Sequence, residues 1–311
     1  MRSIYLDQFA WVHLSRARLG LPQDRDVTSA RSALLTAIKS GSVVTPLSHV
    51  HYRETWRIGD AGRRGRLSTE MATLSQFVTV APVWQLRGAE FDRALNCLFG
   101  RPACCRTVSV FGTGAAHAFG TPELQPSTTH LTREQIFLAE WAVLAELEGR
   151  DRFVDHERGR YSDEERFSRS ETSASRAMKN WRVSAKERTQ RFRIQAMADS
   201  ERELVHGLMA AGISIEEFQA LGSDGLEALV CETPSVFVVA ELRRLRYANS
   251  EQGFQRTDLN DLRALAVAVP YCDAVVADKA WASVLRRSGV LEKYGTKVFT
   301  NVADAVSSLE T

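Results

Sequence analysis

Asp7 closes a short apolar run, Ser3-Ile4-Tyr5-Leu6, and Asp278 closes another, Ala274-Val275-Val276-Ala277, almost the whole chain later. Short apolar runs bounded in this way read as buried strands. In an open α/β sheet, ligands bind in the crevice beyond the carboxyl ends of the strands. Two such strands lying side by side would bring both acids into one pocket, and carboxylates gathered in a pocket hold a hard metal ion.

Two further acids extend the set. Ser42-Val43-Val44-Thr45 reads as a second strand, and Pro46 and Ser48 open a helical stretch that carries Glu54 about two turns in. Near the other end, Thr257-Asp258-Leu259-Asn260-Asp261 precedes an apolar helical run from Leu262 to Val269, and Pro270-Tyr271-Cys272-Asp273 then leads into the strand that ends at Asp278. Asp258 and Asp273 are additional candidate metal ligands, with competing roles as a helix cap and a turn cap. Oxygen-only ligands select Mg2+ or Mn2+ over zinc.

The order is an acid after strand one, an acid in the next helix, an acid at a helix start and an acid after a late strand. Carried by Asp7, Glu54, Asp261 and Asp278, it resembles the PIN-domain nuclease superfamily over residues 1–80 and 235–306. Gln8 and Ala277 depart from the family's usual wording, which has a small polar residue after the first acid and threonine before the last. The resemblance implies an α/β fold, a PIN-like parallel sheet flanked by helices in a Rossmann-like three-layer arrangement. Residues 1–83 and 235–311 would form the core, and residues 84–234 a large, mainly helical insertion.

It also implies a metal-dependent nuclease. Asp7, Glu54, Asp261 and Asp278 would be the catalytic set around one or two Mg2+ or Mn2+ ions, an endoribonuclease before a DNase. Toxin or defence effectors with an inhibitor or partner protein are the usual setting. The competing reading is a catalytically silent PIN-like module that binds nucleic acid or protein. A haloacid-dehalogenase-type phosphatase would need a second aspartate two residues after Asp7, where Phe9 stands.

Two basic clusters could meet a phosphate backbone. Arg53, Arg57, Arg63, Arg64 and Arg66 flank Glu54, with Arg53, Arg57 and Arg63 as the candidate contacts. Between Arg176 and Arg193 only Glu187 offsets seven cations, and on a helix Lys179, Arg182, Lys186 and Arg193 would share one face. Trp181 and Phe192 would stack on bases or form the core side of that helix. A solvated helix face is the alternative for the whole stripe.

Other residues point away from competing chemistries. His49 and His51 sit at a helix start, where i and i+2 do not face one another, so a joint metal role is disfavoured; His51, one turn from Glu54, could orient that carboxylate or a phosphate. Five cysteines without C-x-x-C spacing argue against a disulfide framework and a zinc ribbon. No apolar run approaches the roughly 20 residues that span a bilayer, and nothing marks export, so a cytoplasmic protein with no membrane partner is expected. The net charge of +2 excludes little.

These groups need a scaffold. Helices are expected at 24–40, stopped by Gly41, and at 66–77, with a third strand from Phe77 to Ala81. Residues 100–128, including Phe111-Gly112-Thr113-Gly114, read as a surface loop; the lone G-x-G lacks a following G-K-[ST] and carries no phosphate reading. Further helices are expected at 133–148, 162–207 and 215–221, after Pro234 with Arg243, Arg244 and Arg246, and from Lys279. A last strand at 297–299 and a short terminal helix complete the chain.

Overall fold

Ile4, Tyr5 and Leu6 are all buried, which only a central strand with both faces covered can satisfy. The computed structural model, which describes residues 1–21, 25–102, 106–124, 130–146, 153, 171, 184–248 and 258–308, places them in such a strand. Strand β1 (Arg2–Leu6) lies between β2 (Val43–Val44) and β5 (Ala274–Val276), and β6 (Lys297–Phe299) follows β5 in a four-stranded sheet of order β2-β1-β5-β6. All three pairings are parallel, with Ile4 opposite Ala274 and Leu6 opposite Val276. Parallel neighbours need crossover connections, and helices supply them.

Alternation along the strands divides the core in two. Ile4, Leu6, Ala274 and Val276 face one apolar cluster, shared with α1 (Gln8–Arg18), α2 (Arg25–Lys39), α4 (Ala61–Ser75) and the terminal helix Val302–Ser307. Tyr5 and Val275 face the other, shared with α5 (Val83–Leu98) and the helices Pro234–Ala248, Asp258–Tyr271 and Lys279–Ser288. The expected sheet with helices on both sides is therefore present as a mixed α/β architecture.

Two expectations change. The strand expected at Phe77–Ala81 forms as β3 (Val78–Val80), but it pairs antiparallel with β4 (Phe111–Thr113), and Leu47 bridges β3 to the chain leaving β2. Within the stretch 100–128 read as loop, Phe111–Thr113 is thus a strand and Gly114–Phe119 a helix. Gly112 is required there because a Cβ would run into the His117 ring, and Gly114 because its φ is +82°.

The long helix expected at 162–207 is two helices where it is described, Ala185–Ala198 and Glu201–Ala211. Ser200 breaks it with φ −115° and ψ 18°, and its hydroxyl donates back to the Ala196 carbonyl at 2.8 Å. Residues 162–170 and 172–183 lie outside the described residues.

The middle helices pack against the rest of the core. Helix α5 packs on Glu201–Ala211 and on Pro234–Ala248, and Ala185–Ala198 packs on Pro234–Ala248. Phe91, Leu95, Met197, Leu229, Val236 and Leu242 belong to the same cluster as Val275. They build one helical layer of the sheet. No helix among the described residues is long and apolar enough to cross a membrane.

Beneath α1 a buried ion pair fixes the opposite layer. Glu70 of α4 is fully buried and meets Arg31 of α2 through two hydrogen bonds of 2.6 and 3.0 Å, with Arg18 of α1 at 3.1 Å. Removing one partner leaves buried charge uncompensated, so Glu70→Ala is expected to cost about 3–5 kcal/mol of unfolding free energy. Urea unfolding checks this, and a change within a few tenths of a kcal/mol would reduce the pair to a passive contact.

Candidate functional site

Because β1 and β5 are parallel neighbours in register, their carboxyl ends emerge together. The Asp7 amide donates to the Val276 carbonyl at 3.0 Å, one residue beyond the last strand pair. Each chain then turns into a helix capped by its own acid. Asp7 Oδ1 accepts from the Gln8 amide at 2.6 Å at the start of α1, and Asp278 Oδ1 accepts from the Trp281 amide at 2.8 Å at the start of Lys279–Ser288. The capping and ligand readings of these acids are therefore compatible, because the second oxygen of each takes no part in these bonds.

Asp261 stands in the first turn of Asp258–Tyr271, and its Oδ2 accepts the indole N–H of Trp281 at 2.9 Å. Glu54 comes from α3 (His49–Trp56), whose placement is set by His51. The His51 Nδ1 accepts from the Ser48 amide at 2.9 Å, which assigns the proton to Nε2, donated to the Leu6 carbonyl at 2.7 Å. This imidazole pins the helix carrying Glu54 to the residue before Asp7. It orients the helix and not the Glu54 carboxylate itself. Burial lowers the His51 pKa to about 4, so the ring is neutral near pH 7. His49 packs edge-on against Trp84 at 4.9 Å.

The acids sense one another. Burial, followed by the charge of Asp278, pushes Asp7 up to about 6 against the Gln8 hydrogen bond. Burial and the charges of Asp7 and Asp261 push Glu54 to about 8, opposed by Arg57 and Arg53. Burial raises Asp261 to about 7, with Asp7, Asp258 and Asp278 adding to it and the Trp281 hydrogen bond resisting. A small pocket of about 10 Å³, room for about one water, lies beside Asp7 and Asp261 and is lined also by Tyr5, Leu265, Ala277 and Trp281. The donor chemistry fits a hard divalent cation. As placed, however, no three His, Cys, Asp or Glu side chains among the described residues are grouped closely enough to hold one. The acids would have to draw in on a cation.

The remaining candidates separate. Asp258 is buried and paired with Arg246 at 3.2 Å, so its charge is already matched although it lies near enough to raise Asp261. Asp273 is not part of the group. Its Oδ2 accepts from the Ser3 amide at 2.7 Å and the Ser3 hydroxyl at 2.9 Å, tying β5 to β1 at the amino end of the sheet, opposite Asp7 and Asp278.

Among the cations, Arg57 at the end of α3 and Arg63 in the first turn of α4 are exposed. Arg53 is only 3% exposed, because α3 is covered on nearly all sides, and offers no surface to a phosphate backbone. Arg64 is buried and donates to the carbonyls of Ala145 and Ile58. In the second cluster Lys186 is exposed, but Arg193 is held by Glu227 and Glu241, so the two do not form a shared free stripe. Phe192 is buried against Tyr247 at 5.1 Å, the core reading of that residue. Lys179, Trp181 and Arg182 lie outside the described residues.

Sequence reasoning missed Trp281 and the bond made by His51. His51 follows Ser48 at capping-box spacing, a legible signal once His is accepted in place of Glu or Gln. The indole bond between residues 261 and 281 has no local signature. No family model matches the chain, and comparison with curated proteins and with solved structures gave no match.

The raised carboxyls fix a pH dependence. Their folded pKa values, about 6, 7 and 8, lie above those of the unfolded chain, so the native state holds more protons than the unfolded state between about pH 4 and pH 8. Stability is therefore expected to fall with rising pH across that window, by on the order of a few kcal/mol without divalent cation. Millimolar Mn2+ should flatten the fall, and Asp7→Asn should reduce it. Thermal unfolding from pH 4 to 8 checks this; stability that rises through the window would contradict the buried cluster.

Proposed function

We propose that the protein is a Mg2+- or Mn2+-dependent nuclease of PIN-like fold that hydrolyses phosphodiester bonds, RNA before DNA. The observation that carries this reading is the mutual electrostatic influence of Asp7, Glu54, Asp261 and Asp278 at the carboxyl edge of a parallel sheet. Perturbed acids in a cleft at that edge are the usual mark of a reactive site.

Asp7, Asp261 and Asp278 would hold the cation through the oxygens that their local hydrogen bonds do not use. Once bound, the cation supplies the acidity that yields a nucleophile from water at neutral pH and the charge that steadies a developing oxyanion. Glu54, with its carboxyl pushed up to about 8, is suited to carry a proton near neutrality until a cation lowers it. Exposed Arg57 and Arg63 would meet the phosphate backbone beside the acids. A cytoplasmic toxin or defence effector, kept in check by a partner protein, is the setting the PIN resemblance implies.

Purified protein is expected to cleave single-stranded RNA with Mn2+ at least as well as with Mg2+, to stop in EDTA and to recover on adding Mn2+. Asp7→Asn and Asp278→Asn should abolish cleavage while keeping the fold, because asparagine caps helices as well as aspartate does. Cleavage that survives in the double variant would remove these acids from the chemistry.

For the substrate contacts, Arg57→Ala and Arg63→Ala are each expected to reduce the slope of log binding constant against log salt by about one unit. An unchanged slope would place both arginines outside the interface.

A further inference from the structure

Trp281 directs both of its N–H groups at the proposed metal-binding acids. Its backbone amide donates to Asp278 Oδ1 at 2.8 Å, and its indole Nε1–H donates to Asp261 Oδ2 at 2.9 Å. The two carboxylates arrive from different helices and repel one another, so nothing in their own local structure fixes the distance between them. One residue spans that gap, its backbone amide on Asp278 and its indole on Asp261. Trp281 is 4% exposed and packs in the apolar cluster with Val284, Leu285 and Leu265. The Arg246 guanidinium lies over its ring at 5.5 Å, and Arg246 is also paired with Asp258 at 3.2 Å. Asp258 is three residues before Asp261 on the same helix. A closed circuit therefore runs from Asp258 through Arg246 and Trp281 to Asp261 and Asp278.

We infer that Trp281 is a positioning residue that sets the spacing and aim of Asp261 and Asp278 for a divalent cation, with Arg246 bracing it from behind. The indole suits the task because it is a neutral donor. It fixes the orientation of a carboxylate without cancelling the charge a cation needs, as lysine or arginine in its place would. By occupying one oxygen of each acid it leaves the other to face the ligand. This inference rests on the metal-dependent reading of the site.

The test measures Mn2+ binding by electron paramagnetic resonance of the free ion, together with thermal unfolding in EDTA. Trp281→Phe keeps an aromatic ring and the backbone amide and removes the indole donor together with the pyrrole part of the ring. Its affinity for Mn2+ is expected to fall about 10–100-fold, the usual effect of losing a group that orients a metal ligand. Its unfolding in EDTA should stay cooperative, at a somewhat lower midpoint because the smaller ring leaves a void. Because Trp281 acts through Asp261, adding Trp281→Phe to Asp261→Asn should cost little further affinity.

In wild type, the Trp281 indole N–H resonance should shift with Mg2+ more than the other five tryptophan indoles and broaden first with Mn2+. That measurement stands if the variant does not fold. Unchanged Mn2+ affinity in Trp281→Phe, additive losses in the double variant, or an indole resonance indifferent to Mg2+ would overturn the role of Trp281 while leaving the metal reading intact. A wild-type protein that binds no Mn2+ would overturn the metal reading and this inference with it.

Discussion

Carboxylates buried at one sheet edge, with mutual repulsion added to the cost of leaving water, are the constraint that the rest of the structure accommodates. Asp7 and Asp278 are brought side by side by the register of β1 and β5, which is itself set by apolar burial on both faces. The hydrophobic effect thus forces like charges together in a place poor in water. Two remedies exist, protonation or a cation. The raised carboxyls of Asp7, Asp261 and Glu54 express the first, and the proposed function is the second.

The surrounding structure acts to keep the acids in place against that repulsion. His51 fastens α3 to the end of β1, Trp281 links two of the acids, and helix caps hold Asp7 and Asp278 locally. At the other edge of the sheet Asp273 joins β5 to β1 through Ser3. In the outer layer Glu70 binds Arg31 and lies against Arg18, so that α1, α2 and α4 are tied together. Each of these contacts is polar and directional where the apolar core alone would leave freedom to slide.

Much of the frame was legible in the sequence because it depends on local pattern. The runs that became β1, β2, β5 and β6 are short and apolar, and Asp7 and Asp278 follow two of them directly. Strand β4 was not legible, because Gly112 and Gly114 weaken any strand signal and are present for packing against His117 and for a positive φ. The middle helices carry an apolar face, but nothing in sequence says that Glu201–Ala211 packs chiefly on α5 and Ala185–Ala198 chiefly on Pro234–Ala248. Asp273, Arg53 and Arg193 show the same limit for charges. Each looked available by residue type, and each is buried or bonded by contacts distant in the chain. Trp281 is the converse case, a residue with no motif whose placement matters because of a bond to Asp261 across two helices.

Anomalous diffraction from crystals soaked in Mn2+ tests the central claim most directly. The account predicts a manganese peak in the pocket between Asp7 and Asp261, with carboxylate oxygens of Asp7, Asp261 and Asp278 drawn to roughly 2 Å from it and Glu54 facing the same ion. Manganese bound elsewhere, with these four carboxylates unmoved, would contradict it.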